Sequence, residues 1–291
     1  MLKDYKKVKP ELDKLSSVTK KNYISAILVA LRCVGDDDET IDTYSKVFQD
    51  VVEKFSSKTK EQEVNDKDKE NWVSLKDLQR AYKKYMSEIK KRKLLDRDNL
   101  TKPEFNQLLN GVILTLYLGS PNNPPLRTEY SEMRVIPLGA FNELSDAEKE
   151  KHNYLVYSKK NLFFSIGDYK TVKTHGVQQI PVDKKIETFL RAWIDSNESD
   201  WLLPKVKKMD QMEESEPMGN NLLSKRFSSL MKEMVGKNIG VSLLRKIFIT
   251  DTLEMPSIKK REKLADAMLH TADVQSLYYS KPEMNGDDEE E

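Results

Sequence analysis

The run from Pro103 to Leu118, Pro-Glu-Phe-Asn-Gln-Leu-Leu-Asn-Gly-Val-Ile-Leu-Thr-Leu-Tyr-Leu, constrains the fold of this chain most. From Phe105 onward it has no continuous polar face, and a helix apolar on all sides belongs inside a protein. Other elements must therefore cover it. Pro121-Asn-Asn-Pro-Pro125 follows as a rigid turn that presents Leu126-Arg127. Upstream, Ser16 or Ser17 can cap a helix whose apolar positions are Tyr23, Ile24, Ile27, Leu28 and Leu31. A second amphipathic stretch covers 40–55. Residues 56–70, apolar only at Val64, read as a linker, and Trp72, Val73, Leu75, Leu78, Tyr82 and Tyr85 mark a third helix. Downstream, Tyr154–Tyr157, Leu162–Ile166 and Gln178–Val182 are short β-rich runs, the last two joined by a turn holding His175-Gly176. Helical patterns return over 184–195, 220–235, 240–253, 258–269 and 272–279. The expected fold is mainly α with a small antiparallel β-sheet: a helical domain over 1–98, a second domain over 99–282 and an acidic, disordered tail over 283–291.

Composition narrows the chemistry. No stretch approaches the roughly 18 uninterrupted apolar residues of a membrane span, and Met-Leu-Lys-Asp-Tyr-Lys-Lys lacks the apolar core of a signal peptide. An intracellular setting and no membrane partner are expected. A single cysteine, Cys33, with three histidines (152, 175 and 270) argues against a Cys/His zinc site. The net charge of +1 conceals an asymmetry: 283–291 holds six of the 48 acids, leaving 49 bases against 42, or +7. Residues 76–97 carry nine Lys/Arg against three Asp/Glu, which favours a polyanionic partner or a solvated face.

Several residues have chemistry to offer. Arg127 follows two prolines at the start of a helix-like segment (Glu129, Met133), and as a permanent cation it can grip two phosphate oxygens or pair with Glu129. Lys170 and Lys173 lie in Tyr169-Lys-Thr-Val-Lys-Thr-His-Gly176, read as a β-hairpin tip, where a lysine can protonate a leaving oxygen or merely face water. Arg245 sits inside the apolar stretch Val241–Ile249, either snorkelling or buried toward a ligand. His270 caps the apolar face of Leu264, Ala267 and Met268, and Tyr278-Tyr279 follow. Singly, each has a plain structural explanation. Together they are the cationic, proton-transferring and nucleophilic groups needed to break a DNA strand without metal.

In that order the chain resembles the tyrosine recombinase (phage-integrase) family over roughly 100–281. Pro125-Leu126-Arg127 is similar to the first arginine box, and Tyr169-Lys170-Thr171 ahead of Gln179-Ile180-Pro181-Val182 to the lysine hairpin. Leu244-Arg245-Lys246-Ile247-Phe248-Ile249-Thr250 resembles the second arginine box, and Met268-Leu269-His270 with Tyr279 the last. Ser17–Tyr23 looks like the opening of that family's core-binding domain. The Pro-Pro-Leu-Arg and Leu-Leu-Arg-Lys variants look like integrases of large eukaryotic DNA viruses and their mobile elements. The resemblance implies a core-binding domain followed by a recombinase-type catalytic domain, with Arg127, Lys170, Arg245, His270 and Tyr279 catalytic. It implies no cofactor or metal, double-stranded DNA as partner, a homotetramer on DNA, and, if viral, a nuclear, viral-factory or virion location. Type IB topoisomerase-like relaxation, or a non-catalytic DNA-binding or virion protein of that fold, are the alternatives. Lys173 competes with Lys170 as general acid, and Tyr278 with Tyr279 as nucleophile.

Two positions depart from the family pattern. Ser242 stands where the family usually has a histidine three residues before the second arginine; a serine can hydrogen-bond a phosphate but does not shuttle protons at neutral pH. Tyr130 occupies the acidic position after the first arginine, leaving Glu129 as a substitute. Lys83, Lys84, Lys90, Lys91, Arg92, Lys173 and Ser242 are the expected DNA-contacting residues. Neutralising Lys83, Lys84, Lys90, Lys91 and Arg92 together should weaken binding to every duplex. It should also flatten the salt dependence by about one unit of slope for each phosphate that is no longer neutralised. An unchanged slope would mark this stretch as solvated only.

Overall fold

A computed structural model describes residues 2, 4–35, 38–60, 64–97, 99–207, 209–211, 213–252, 264–269 and 274. The chain divides into two compact units, 1–63 and 64–291, at a boundary inside the polar stretch 56–70. In the first unit, α1 (Tyr5–Asp13), α2 (Ser17–Cys33) and α3 (Asp38–Lys60) bury one face each. Ser16 is the cap of α2, its hydroxyl accepting from Thr19 N at 3.3 Å. Ile24, Ile27, Leu28 and Leu31 are buried as their spacing predicts, whereas Tyr23 is 57% exposed. Tyr44 anchors α3, with its ring edge-on to Tyr5 at 5.3 Å and its hydroxyl on the Leu2 carbonyl.

The second unit opens with α4 (Asp66–Asn71) and α5 (Leu75–Lys91). Short α4 forms inside a segment whose polarity reads as linker, because Asn65 caps it through Asp68 N. By packing, α5 lies with this second unit, although the sequence groups it with the helices before it. The helix it covers explains this: α6 (Lys102–Leu118) is the buried helix expected from its apolar run, and α5 lies against it. At Gly111 a Cβ would stand 2.5 Å from Ile89 Cδ1, so a larger residue there would have to push the end of that side chain aside. Ser74 caps α5, and the Asp251 carboxylate takes the Leu75 N–H at 2.7 Å. Lys246 pairs with Asp68 at 2.5 Å. The face of α5 away from Leu78 and Ile89 exposes Lys83, Lys84, Lys90, Lys91 and Arg92.

Beyond α6 the chain is mixed: β1 (Arg134–Pro137), α7 (Leu138–Glu143), α8 (Asp146–Lys151), β2 (Asn153–Tyr157), β3 (Leu162–Ile166), α9 (Val172–His175), β4 (Gln178–Pro181) and α10 (Lys184–Ser196). A two-strand ladder, β5 (Pro204–Lys205) with β6 (Glu216–Pro217), precedes α11 (Asn220–Val235) and α12 (Val241–Thr252). Residues 264–267 are helical. The four strands order β1-β2-β3-β4, so the expected strands are present, but the sheet is mixed rather than antiparallel: β1 runs parallel to β2. A parallel pair needs a crossover, and α7 and α8 provide it. Two further expectations change. No helix follows Arg127; 127–132 is a series of turns closed by Ser131 N on Thr128 O and Met133 N on Tyr130 O, which swings Tyr130 and Met133 into the core. Nor do Lys170 and Lys173 sit on a tight hairpin tip, since β3 and β4 are joined through α9. Among the described residues no helix is long and apolar enough to cross a membrane.

Gly167, at the end of β3, touches the end of α8: a Cβ there would lie 1.9 Å from the Lys149 carbonyl oxygen. Gly139, inside α7, has nothing within 4 Å of its would-be Cβ. Trp72, Trp193 and Trp201 all lie in the second unit, so tryptophan fluorescence reports its unfolding alone. In urea titrations Gly167→Ala should lose about 1–3 kcal/mol to overpacking. Gly139→Ala should gain up to about 1 kcal/mol from helix propensity. Equal midpoints for the two variants would disprove the close approach at Gly167.

Candidate functional site

The loop after α6 is tied down along its length before it reaches Arg127. Ser120 and Asn122 donate to the Asp183 carboxylate at the start of α10, Asn123 Nδ2 donates to Pro181 O at 3.0 Å, and Asp183 N donates to Asn123 Oδ1. Hydrogen bonds from Lys185 N and Ser120 keep the Asp183 carboxyl below the usual carboxylate range. Tyr117 donates its hydroxyl to the Arg127 carbonyl at 2.5 Å, and Ser131 Oγ donates to Asn220 Oδ1 at 2.7 Å. Arg127 itself is half-buried, and its Nη1 is enclosed without a hydrogen-bond partner among the described residues. An enclosed guanidinium N–H without a partner is an unmet donor, and its charge makes an anionic oxygen the acceptor it binds best.

Arg245 is wholly buried on α12. Its Nη1 donates to Pro125 O and its Nη2 to Met268 O at 3.3 Å. It is not snorkelling. Those carbonyls stand two residues before Arg127 and two before His270. Tyr117 and Tyr130, edge-on at 5.5 Å, are held neutral: burial raises both phenols, the Glu129 charge pushes the same way, and Arg245 opposes. Tyr130, at the position where an acid was sought, is therefore a core aromatic, packed also on Phe164 at 5.5 Å.

Lys170 follows β3 on an exposed segment. Thr171 Oγ1 donates to Leu269 O at 3.0 Å, which joins the lysine segment to the residue before His270. Leu269 adopts φ +57°, a left-handed conformation that a leucine holds only under constraint. Tyr169 turns its hydroxyl onto Gly176 O at 2.6 Å, and Gln178 Nε2 donates to His175 O.

These segments frame one cleft of about 330 Å³, lined among others by Arg127, Glu129, Glu132, Asn153, Asp168 and Lys170. The structure thus brings Arg127 and Lys170 together, with Arg245 behind the arginine loop. Lys173 is exposed on α9 and Ser242 on the first turn of α12, and neither lines the cleft. Arg92 pairs with Glu104 at 3.1 Å and with Gln107, so of the basic group on α5 it is already engaged. His270, Tyr278 and Tyr279 lie outside the described residues. Among the described residues no cluster of three or more His, Cys, Asp or Glu could hold a metal.

Sequence reasoning missed the acids: Glu132 and Asp168 join Glu129, so three carboxylates face two cations. It also missed Asn153, whose one signal was an asparagine opening a β-rich run, where asparagine is disfavoured. Such an arrangement can hold a single oxyanion on aimed donors, not on net charge. No protein family's sequence model matches the chain, and neither a characterised protein nor a solved structure does. Arg245→Met keeps the packing volume but strips the donors from Pro125 O and Met268 O. Each buried carbonyl left unpaired should cost about 1–3 kcal/mol, read as an earlier tryptophan-fluorescence transition in urea. An unchanged midpoint would mean the guanidinium does not hold these two segments.

Proposed function

We propose that the chain is a tyrosine recombinase-like DNA strand transferase, its second unit the catalytic domain, which cleaves and rejoins DNA through a 3′-phosphotyrosyl intermediate. One observation carries the reading. The segments holding four of its expected catalytic residues, far apart in sequence, meet through side-chain hydrogen bonds to main-chain carbonyls: Arg245 on Pro125 O and Met268 O, and Thr171 on Leu269 O. The chain order alone, Arg127, Lys170, Arg245, His270, Tyr279, does not require them to meet.

In this reading the Tyr279 oxygen bonds to phosphorus while the bond from phosphorus to the 5′-oxygen breaks. The phenol proton passes to water, and Lys170 protonates the departing 5′-oxygen. Arg127, through its unpartnered Nη1, and Arg245, through its charge, stabilise the non-bridging oxygens, and His270 donates to one of them. The phosphotyrosine conserves the bond energy, so rejoining needs no ATP. A second reading, a DNA-binding protein of the same kind without catalysis, draws on Ser242 in place of a proton-shuttling residue and on the three carboxylates of the cleft.

Incubation with nicked suicide duplexes, followed by denaturing gel electrophoresis, decides between them. A covalent adduct should appear, persist in EDTA and vanish in Tyr279→Phe. Arg127→Ala should lower its rate at least a hundredfold with little change in duplex affinity. Arg127 is the better probe than Arg245, whose loss also disturbs the fold. Adduct loss in Tyr278→Phe alone would move the nucleophile by one residue. Binding without any adduct supports the non-catalytic reading, and loss of the adduct on chelation overturns the mechanism.

A further inference from the structure

Asn153 begins β2, opposite Ile166 at the end of the β3 ladder, and its residue is 6% exposed. Its amide is saturated. Nδ2 donates to Glu129 O at 3.1 Å and to Asp168 O at 2.9 Å. Oδ1 accepts from Gly167 N at 3.0 Å and from Asp168 N at 2.9 Å. Two donors and two lone pairs are all a carboxamide has, and each goes to a main-chain group. One of those groups lies two residues after Arg127, and the other three lie two or three residues before Lys170. No other described side chain bonds to both loops, and Asn153 also lines the cleft between them.

We infer that Asn153 is a positioning residue that sets Lys170 against Arg127, so that the proton donor and the phosphate clamp address the same phosphodiester. The inference rests on the proposed strand-transfer reading. A strand-end asparagine with a purely structural role would serve the same hydrogen bonds, but its loss would damage the fold and not one chemical step. The distinction lies in the leaving group. With a 5′-oxygen, cleavage breaks the phosphorus–oxygen bond and the oxygen must take a proton from Lys170. With sulfur in that bridging place the phosphorus–sulfur bond breaks and a thiolate departs; thiols ionise near pH 8.5, so no proton is needed.

Asn153→Asp preserves shape and the two accepted bonds while turning a carboxylate oxygen toward the Glu129 and Asp168 carbonyls. A displacement of about 1 Å suffices for a hundredfold loss. The full-length variant should therefore cleave an ordinary suicide duplex about a hundredfold more slowly than the unmodified chain, with duplex affinity unchanged within about twofold. On the duplex carrying the bridging 5′-sulfur it should recover to within about tenfold, as Lys170→Ala should and Arg127→Ala should not. Where Asn153→Asp does not fold, judged by tryptophan fluorescence, Asn153→Ser removes the amide without adding charge and carries the same expectation. Wild-type cleavage by Asn153→Asp, or a defect that sulfur leaves in place, overturns this inference alone. An unmodified chain that forms no adduct overturns the strand-transfer reading and this inference with it.

Discussion

A guanidinium keeps its charge under any condition in which a protein folds, and Arg245 keeps it with no exposure to water. Burial of such a group is unfavourable unless its N–H groups find acceptors. The acceptors here are main-chain carbonyls of Pro125 and Met268, neither near Arg245 in sequence. An apolar side chain among Leu244, Ile247 and Phe248 could shift and still be buried. A guanidinium cannot, because a shift strands its donors. The arrangement of α12, the proline-rich turn and the 264–269 segment follows from that constraint.

On this base the two loops that border the cleft are held differently. The arginine loop is anchored through its carbonyls, from Tyr117, Asn153 and Arg245, while the side chains of Arg127, Glu129 and Glu132 line the cleft. The lysine segment is fastened on either side of exposed Lys170, by Asn153 at Gly167 and Asp168 and by Thr171 at Leu269. Under the proposed strand-transfer reading, Arg127 on the more tightly held loop would keep the phosphate still while Lys170 supplies the proton to the leaving oxygen.

Electrostatics in the cleft run against simple attraction. Glu129, Glu132 and Asp168 outnumber Arg127 and Lys170, while the exposed basic groups of α5 do not line it. In the proposed reading, long-range attraction of a polyanion and recognition of one phosphate would therefore fall to different surfaces, the first graded by salt and the second by hydrogen-bond geometry.

Much of the fold was legible. The helices α2, α3, α5, α10, α11 and α12 follow an apolar period of 3.6, α6 is apolar on all sides, and the runs that became β2, β3 and β4 are short, aromatic or β-branched and bounded by turns. Arg127, Lys170 and Arg245 stood out together, through their order along the chain, since singly each has a plain structural explanation. What failed was non-local. Arg134-Val-Ile-Pro137 has too little pattern to read as a strand and becomes one by pairing with β2. The stretch after Arg127 has helical spacing, yet Ser131, Asn153 and Asn220 draw it into turns. Asn153 carries only the weak local signal of an asparagine opening a β-rich run, which does not say which loops it joins. Periodicity is a property of neighbouring residues, so the sequence by itself determined the helices, the three-strand run and which cations to watch. The carbonyl that each polar side chain meets arrives from a distant segment, and only the tertiary structure decided those meetings.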